Sequence, residues 1–187
     1  MNLKNKVALT FVVFIFFFCS CNVKYSRLAK IYDFSINSKI EGKIKKVTII
    51  DLRKNTEDRK LKIPAFTFPG NYDKLSPKLT ERHRYIIDSF VRTFYEKESP
   101  EVELVVSIIR GEKEFFAKFS SEIENVYFDI KIQEKNLITN KTYEALATVY
   151  FTFSSHDASE KFLEELYLKA IKASIHKSIV LIEEEKK

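Results

Sequence analysis

The alternation of apolar and polar side chains predicts five strands and two helices. Apolar residues recur at every second position through 114–120, 124–133 and 143–153, as in strands with one buried and one wetter face. Two further runs, 47–52 and 102–109, are apolar on both faces, as in covered strands. Apolar residues three or four positions apart indicate helices over 76–97 and 157–182.

The residues between these runs predict where the elements begin and end. Ser76-Pro77 predicts the start of the first helix, because serine caps and proline is favoured at the first helical position. Asp157 to Glu160 resembles a capping box and predicts the start of the second helix. The segment 110–113 predicts a hairpin turn between two strands.

Together these elements predict an α+β domain with two layers. The sheet has about five strands and is mostly antiparallel, with a parallel pair formed across the first helix. Each helix has one apolar stripe, so both helices are expected on one face of the sheet. The longest irregular stretch, 63–72, contains two prolines and a Gly-Asn pair.

The N-terminus has the pattern of a secretory signal. Lys4 and Lys6 precede the apolar run 7–18, which is shorter than the roughly 20 residues that a spanning helix needs. The run ends in Phe18-Cys19-Ser20-Cys21, which contains both cysteines of the chain. An ordinary secreted protein cleaved nearby and an uncleaved anchor helix remain alternatives.

This ending resembles the bacterial lipoprotein signal, in which a small residue precedes the modified cysteine. The resemblance implies a signal peptide over 1–20, a lipidated N-terminus and tether over 21–43, and one domain over 44–187. Cys21 would carry a thioether-linked diacylglycerol, and its amino group would be acylated, for example by palmitate. The implied location is the bacterial cell envelope, facing the periplasm, with the outer membrane favoured over the inner one.

Composition excludes several kinds of site. The net charge is +6, from 32 basic and 26 acidic residues, but the two signs alternate, so no nucleic-acid partner is expected. No cysteine follows Cys21, which leaves no disulfide and no Cys-based metal site in the domain. Three histidines without metal-ligand spacing and only three glycines predict neither a metal nor a cofactor.

Two places stand out as possible partner surfaces. Asp51 and Arg53 form a polar pair at the end of the first strand, for which surface ion pairing is the alternative. Phe66, Phe68 and Tyr72 lie on the proline-containing loop, where exposed aromatic residues suggest a partner or a bilayer surface. The alternative for the loop is that it folds back over a sheet edge.

The domain also loosely resembles small periplasmic lipoproteins that assist envelope machinery, of the lipopolysaccharide-assembly and ABC-transport auxiliary types. The resemblance rests on the D-x-R of Asp51 to Arg53, the segment Ser76-Pro77-x-Leu79-Thr80, the strand meander and the terminal helix. It implies a non-enzymatic accessory or binding role in envelope assembly or transport.

Two other functions remain open at this point. An enzyme acting on envelope glycan or lipid would require Asp51, Glu81 and His83 to converge in a cleft as acid–base groups. A carrier of an apolar ligand would require a hollow with a phenylalanine lining, formed by Phe115, Phe119, Phe128 and Phe151.

Overall fold

The computed structural model describes residues 39–96 and 100–187, and it confirms an α+β fold. The predicted signal peptide, Cys21 and most of the predicted tether lie outside these residues. The elements are β1 (Lys43–Asp51), β2 (Tyr72–Leu75), α1 (Glu81–Arg92), β3 (Glu101–Ala117), β4 (Glu122–Asn136), β5 (Thr142–Ser155) and α2 (Glu160–Lys186).

The long strand β3 organises the sheet. Its first half pairs in parallel with β1, from Lys43 opposite Glu101 onward. Its second half pairs antiparallel with the short β2, where Tyr72 lies opposite Phe116. On its other side β3 pairs with β4, and β4 pairs with the edge strand β5. The predicted parallel pair and antiparallel meander are therefore both present.

The predicted turn at 110–113 is wrong, because β3 runs without interruption for 17 residues. A bulge between Ile108 and Arg110 shifts the register instead, and Gly111 continues the ladder opposite Phe128. The polar residues that suggested a turn alternate in direction. Glu112 lies on the half-exposed face, whereas Lys113 points inward and is 2% exposed.

Both predicted helix starts are displaced toward the C-terminus. α1 is capped by Thr80, whose hydroxyl accepts from the His83 N–H while His83 Nδ1 accepts from the Thr80 N–H. α2 is capped by Ser159 rather than Asp157. The carboxylates of Glu122 and Glu124 on β4 accept from the backbone N–H groups of Ala158 and Ser159, which satisfies further donors at this end.

The core lies between one face of the sheet and the two helices. α2 packs on β4 and β5, and α1 packs on β1 and α2. Full burial of a large apolar side chain contributes about 1.5–3 kcal/mol. The largest fully buried side chains are Tyr167, Phe115, Phe128, Phe162, Leu75, Ile87, Leu104, Ile108, Ile130, Ile132, Leu163 and Ile171. Within the described ranges, neither helix has the length and apolarity needed to cross a membrane.

The edge strand β5 is partly covered by side chains of α2. Lys177 Nζ donates to the Thr148 carbonyl at 3.3 Å, and Glu185 accepts from the Glu144 N–H at 3.4 Å. These bonds occupy two backbone groups that would otherwise be open to another strand.

Gly111 has no room for a side chain. A Cβ there would collide with the Tyr167 hydroxyl and would lie 2.8 Å from Arg53 Nη1 and 3.1 Å from the Phe128 ring. Gly111→Ala is therefore expected to lower the free energy of unfolding by about 2–3 kcal/mol in urea denaturation.

Tyr167→Phe provides the matched control, because it removes the oxygen nearest to the added methyl group. The double variant carries both Gly111→Ala and Tyr167→Phe. Its loss of unfolding free energy is expected to be smaller than the sum of the losses in the two single variants. Strictly additive losses would contradict this steric explanation.

Candidate functional site

The Asp51–Arg53 pair lies at the end of β1 and faces inward. The Arg53 side chain is 4% exposed, and its Nε and Nη2 donate to Asp51 at 2.8 and 2.7 Å. Its Nη1 donates to the Gly111 carbonyl at 3.1 Å and to the Tyr167 hydroxyl at 3.2 Å. The guanidinium is thus bound by β1, β3 and α2, and the structure does not place it on a surface that a partner could reach.

A second group of charges lies beside it under α2. Lys113 is 2% exposed, and its Nζ donates to Glu160 at 2.6 Å and to Glu164 at 3.1 Å. The His83 ring is 3% exposed, and its Nε2 lies 3.1 Å from the other Glu164 oxygen. Nδ1 of this ring accepts from the Thr80 N–H, so Nε2 is the nitrogen that donates to Glu164.

We call these two groups together the buried polar cluster: Asp51, Arg53, His83, Lys113, Glu160, Glu164 and Tyr167. Tyr167 connects them, because its hydroxyl accepts from Arg53 and its ring lies 5.5 Å from the His83 ring. The cluster joins β1, α1, β3 and α2, so it ties both helices to the sheet.

The surroundings of Glu164, Asp51 and Tyr167 shift their pKa values away from neutral pH. The hydrogen bond from His83 lowers the pKa of Glu164 to about 2. Burial opposes this shift, and the charge of Lys113 adds to it. Burial opposes ionisation of Asp51, but the hydrogen bonds and charge of Arg53 lower its pKa overall. Burial raises the pKa of Tyr167. These groups therefore stay in one state near neutral pH and stabilise the fold.

The residues named for an enzyme do not face one cleft. Asp51 is bound to Arg53, His83 is buried, and the Glu81 side chain is 96% exposed at the start of α1. Among residues 39–96 and 100–187, no three His, Cys, Asp or Glu side chains are grouped as metal ligands.

The phenylalanines named for a ligand hollow also separate. Phe115 and Phe128 are fully buried and Phe151 is 7% exposed, but Phe119 is 96% exposed beyond the end of β3. The four side chains do not line a common hollow.

The open face of the sheet carries an ordered row of aromatic and cationic side chains. Arg110 lies 4.2 Å above the Tyr127 ring, and Tyr127 stacks on Tyr150 with centroids 4.6 Å apart. Tyr127 and Tyr150 are also opposite each other in the β4–β5 register. The row therefore crosses from the central strand to the edge strand, where Tyr150 is 49% exposed.

Hydrogen bonds extend this row towards β2. The Tyr150 hydroxyl donates to Asn125, the Asn125 amide donates to Glu114, and the Tyr72 hydroxyl donates to the other Glu114 oxygen. Burial, followed by hydrogen bonding with Tyr150, raises the pKa of Tyr127 to about 12. We call the set Tyr72, Arg110, Glu114, Asn125, Tyr127 and Tyr150 the tyrosine row. Of the predicted surface residues, Tyr72 belongs to it and is 55% exposed.

The other predicted aromatic residues form a separate feature at one end of the sheet. Phe66 and Phe68 are 83% and 68% exposed, and Phe119 lies on the neighbouring β3–β4 turn. The two segments are bonded together, because Gly70 N–H donates to the Ala117 carbonyl and Ala117 N–H donates to the Asn71 carbonyl, both at 2.9 Å. The alternating pattern of 114–120 did not identify Phe119 as a surface residue, although Ser120-Ser121 directly after it indicates a turn.

The opposite end of the sheet holds a shallow cavity of about 520 Å³. Its most buried charged group is Glu134, which is 1% exposed. Tyr95 donates to Glu134 at 2.7 Å and Lys186 forms an ion pair with it, so this carboxylate already has its partners within the domain.

Glu164 is expected to be the most sensitive carboxylate of the buried polar cluster. Glu164→Gln removes the charge that pairs with buried Lys113 and accepts from His83, so unfolding free energy should fall by about 3 kcal/mol. The measurement is urea denaturation near neutral pH. The neighbouring Glu165→Gln is the control, expected within about 0.5 kcal/mol of the native protein. Equal losses in the two variants would contradict the assigned role.

The same residue predicts a pH dependence. The folded pKa of Glu164 is about 2 and the reference value is 4.5, so its ionised form stabilises the fold fully above the reference value. This contribution is lost as the pH falls from 4.5 toward 2. The stability gap between native protein and Glu164→Gln should therefore narrow by about 2 kcal/mol between about pH 7 and about pH 3. A gap that stays constant would contradict the lowered pKa.

No family model matches the chain, and no curated protein matches it. Among solved structures, a Xanthomonas campestris protein of the DUF330 family aligns at 13% identity and a TM-score of 0.46, covering 80% of this chain and 89% of that one. A minor lipoprotein from Acinetobacter baumannii aligns at 10% identity and a TM-score of 0.33, covering 75% and 86%. At such values the likeness assigns neither a family nor a function.

Proposed function

We propose that the protein is a lipoprotein of the bacterial cell envelope, anchored through Cys21, with a non-enzymatic accessory role in envelope assembly or transport. In this role it binds a protein partner through the tyrosine row on the open face of the sheet. The anchor rests on the signal-like sequence before Cys21, and the location follows from it.

The observation that carries the binding role is the preorganisation of the tyrosine row. Arg110, Tyr127 and Tyr150 are held in one stack, and Glu114 and Asn125 fix the hydroxyls at either side. Tyrosine and arginine are enriched at the energetic centres of protein interfaces. Side chains that are already ordered lose less conformational entropy when a partner binds, which favours affinity.

The buried polar cluster supports a binding role over an enzymatic one. Its acidic and basic groups are paired with one another beneath α2, and Lys113 and His83 are each no more than 3% exposed. A substrate could reach Lys113 and His83 only after α2 had moved away from the sheet. The tyrosine row, by contrast, is accessible in the folded domain as it stands.

In-cell photocrosslinking tests this proposal. A photoreactive residue replaces Tyr150 in the full-length protein, and a control chain carries it at Leu181, which is 37% exposed on α2. A discrete adduct with an envelope protein is expected from position 150 and not from position 181. Tyr127→Ala combined with Tyr150→Ala should lower recovery of the same partner in a pull-down by about tenfold.

Two results would contradict the proposal. One is an absence of protein adducts at position 150 under conditions in which the native protein is membrane-bound. The other is the same adduct pattern from both positions, which would indicate unspecific collision. Cys21→Ser should release the protein from membranes and weaken crosslinking at position 150, since the anchor concentrates the protein near its partner.

A further inference from the structure

One end of the sheet carries exposed phenylalanines on two neighbouring segments. We call residues 62–70 and 118–121 the phenylalanine tip. It contains Phe66, Phe68 and Phe119, which are 83%, 68% and 96% exposed. Its charged residues are Lys62 and Lys118, both exposed, and it has no acidic residue. Separately exposed apolar residues are common on proteins, but here three exposed phenylalanines lie on two segments that are hydrogen-bonded to each other through Ala117.

The phenylalanine tip is held in its exposed form by bonds to the sheet. The two hydrogen bonds between the segment 70–71 and Ala117 continue the β2–β3 ladder into the loop. The Asn71 side chain accepts from the Phe68 N–H at 2.6 Å, and Thr67 donates to Glu122 at 2.6 Å. The loop is thus held to the sheet by hydrogen bonds, and its phenylalanine side chains remain exposed to solvent.

The geometry points to a bilayer surface rich in anionic phospholipid as the occupant of the phenylalanine tip. Exposed aromatic side chains flanked by lysines match the interface of such a bilayer, because the rings enter the acyl boundary while the ammonium groups meet anionic headgroups. A partner with a cationic surface would be repelled by Lys62 and Lys118. The carboxylates bonded to the tip, Glu122 and Asp73, already accept from Thr67 and from the Lys62 N–H.

The position of the tip relative to the start of the domain is compatible with this contact. Lys43 lies opposite Glu101 at one end of β3, and the tip lies beyond Ala117 at the other end. A 17-residue strand is about 50 Å long, and the 17 residues between Cys21 and Lys39 reach at most about 60 Å when extended. A domain anchored at Cys21 can therefore lie along the bilayer with its tip in contact. The anchor also raises the effective concentration of bilayer, so even a weak contact is populated.

This contact is distinct from the proposed binding of a protein partner. The tyrosine row lies on the face of the sheet, whereas the phenylalanine tip lies at its end. A domain held at both the anchor and the tip would have a fixed orientation at the membrane. Neither contact requires the other, so an experiment can contradict one proposal without contradicting the other.

Tryptophan fluorescence tests the inference, because the chain contains no tryptophan. Phe119→Trp is made in the full-length protein, which is purified from membranes and reconstituted into vesicles with brominated acyl chains. The vesicles contain phosphatidylcholine alone or phosphatidylcholine mixed with phosphatidylglycerol. The fluorescence of the tryptophan introduced at position 119 is expected to fall about twofold or more in the mixed vesicles, since bromine quenches only rings that enter the acyl region.

The matched control is Tyr85→Trp, at a position that is 72% exposed on α1. Its fluorescence should not change in either vesicle. Lys62→Gln with Lys118→Gln, in the Phe119→Trp background, should reduce the quenching in mixed vesicles. Both substitutions lie at exposed sites, so the fold should be unaffected.

Each possible result either supports or contradicts the bilayer contact. Quenching at position 119 and not at position 85 supports the bilayer contact. Absence of quenching at position 119, whether or not the protein floats with the vesicles, overturns it. A shift in the emission from position 119 in native membranes without quenching in vesicles also overturns it, and would indicate a protein groove as the occupant. Crosslinking from position 150 is expected to be the same in every tip variant that remains membrane-bound.

Discussion

The fold depends on the charge pairing beneath α2. Arg53 and Lys113 both point into the interior, where an unpaired cation would be strongly destabilising. Arg53 is bound by Asp51, two residues before it, and Lys113 is bound by Glu160 and Glu164 on α2. Because these partners lie on different elements, the cluster determines where α1 and α2 lie on the sheet. It also determines how strongly they are held there. Apolar packing alone would be less selective, since hydrophobic contact is non-directional.

This pairing also separates the residues that stabilise the domain from those of the proposed binding surface. Charged and aromatic residues of the inner face are used within the fold, and the helices cover them. The same residue types on the open face are ordered by their neighbours but remain accessible, as in Arg110, Tyr127 and Tyr150. One face of the sheet thus packs on the helices, and the other face presents side chains that are already ordered. Alternation along β3 and β4 places the two sets only one residue apart.

Much of this architecture can be predicted from periodicity, whereas the site cannot. The alternating runs identified β4 and β5 because their inner positions are apolar and their outer ones polar. The same reasoning failed at 110–113, where Lys113 is buried: local polarity suggested a turn, and only the carboxylates of α2, some 50 positions later, make it an interior residue. Asp51 and Arg53 were noticed for their polarity, but their direction depends on the Gly111 carbonyl and Tyr167, which no local pattern contains.

If the domain is anchored at a membrane as proposed, the two hydrogen bonds that α2 makes to the edge of β5 have a further consequence. Molecules confined to a surface meet one another far more often than molecules free in three dimensions, and exposed strand edges are where they would stick together. β5 is 14 residues long without a proline, so its edge would be a hazard under such crowding. Lys177 and Glu185 occupy part of that edge, which favours neighbours that remain separate when the membrane is densely populated.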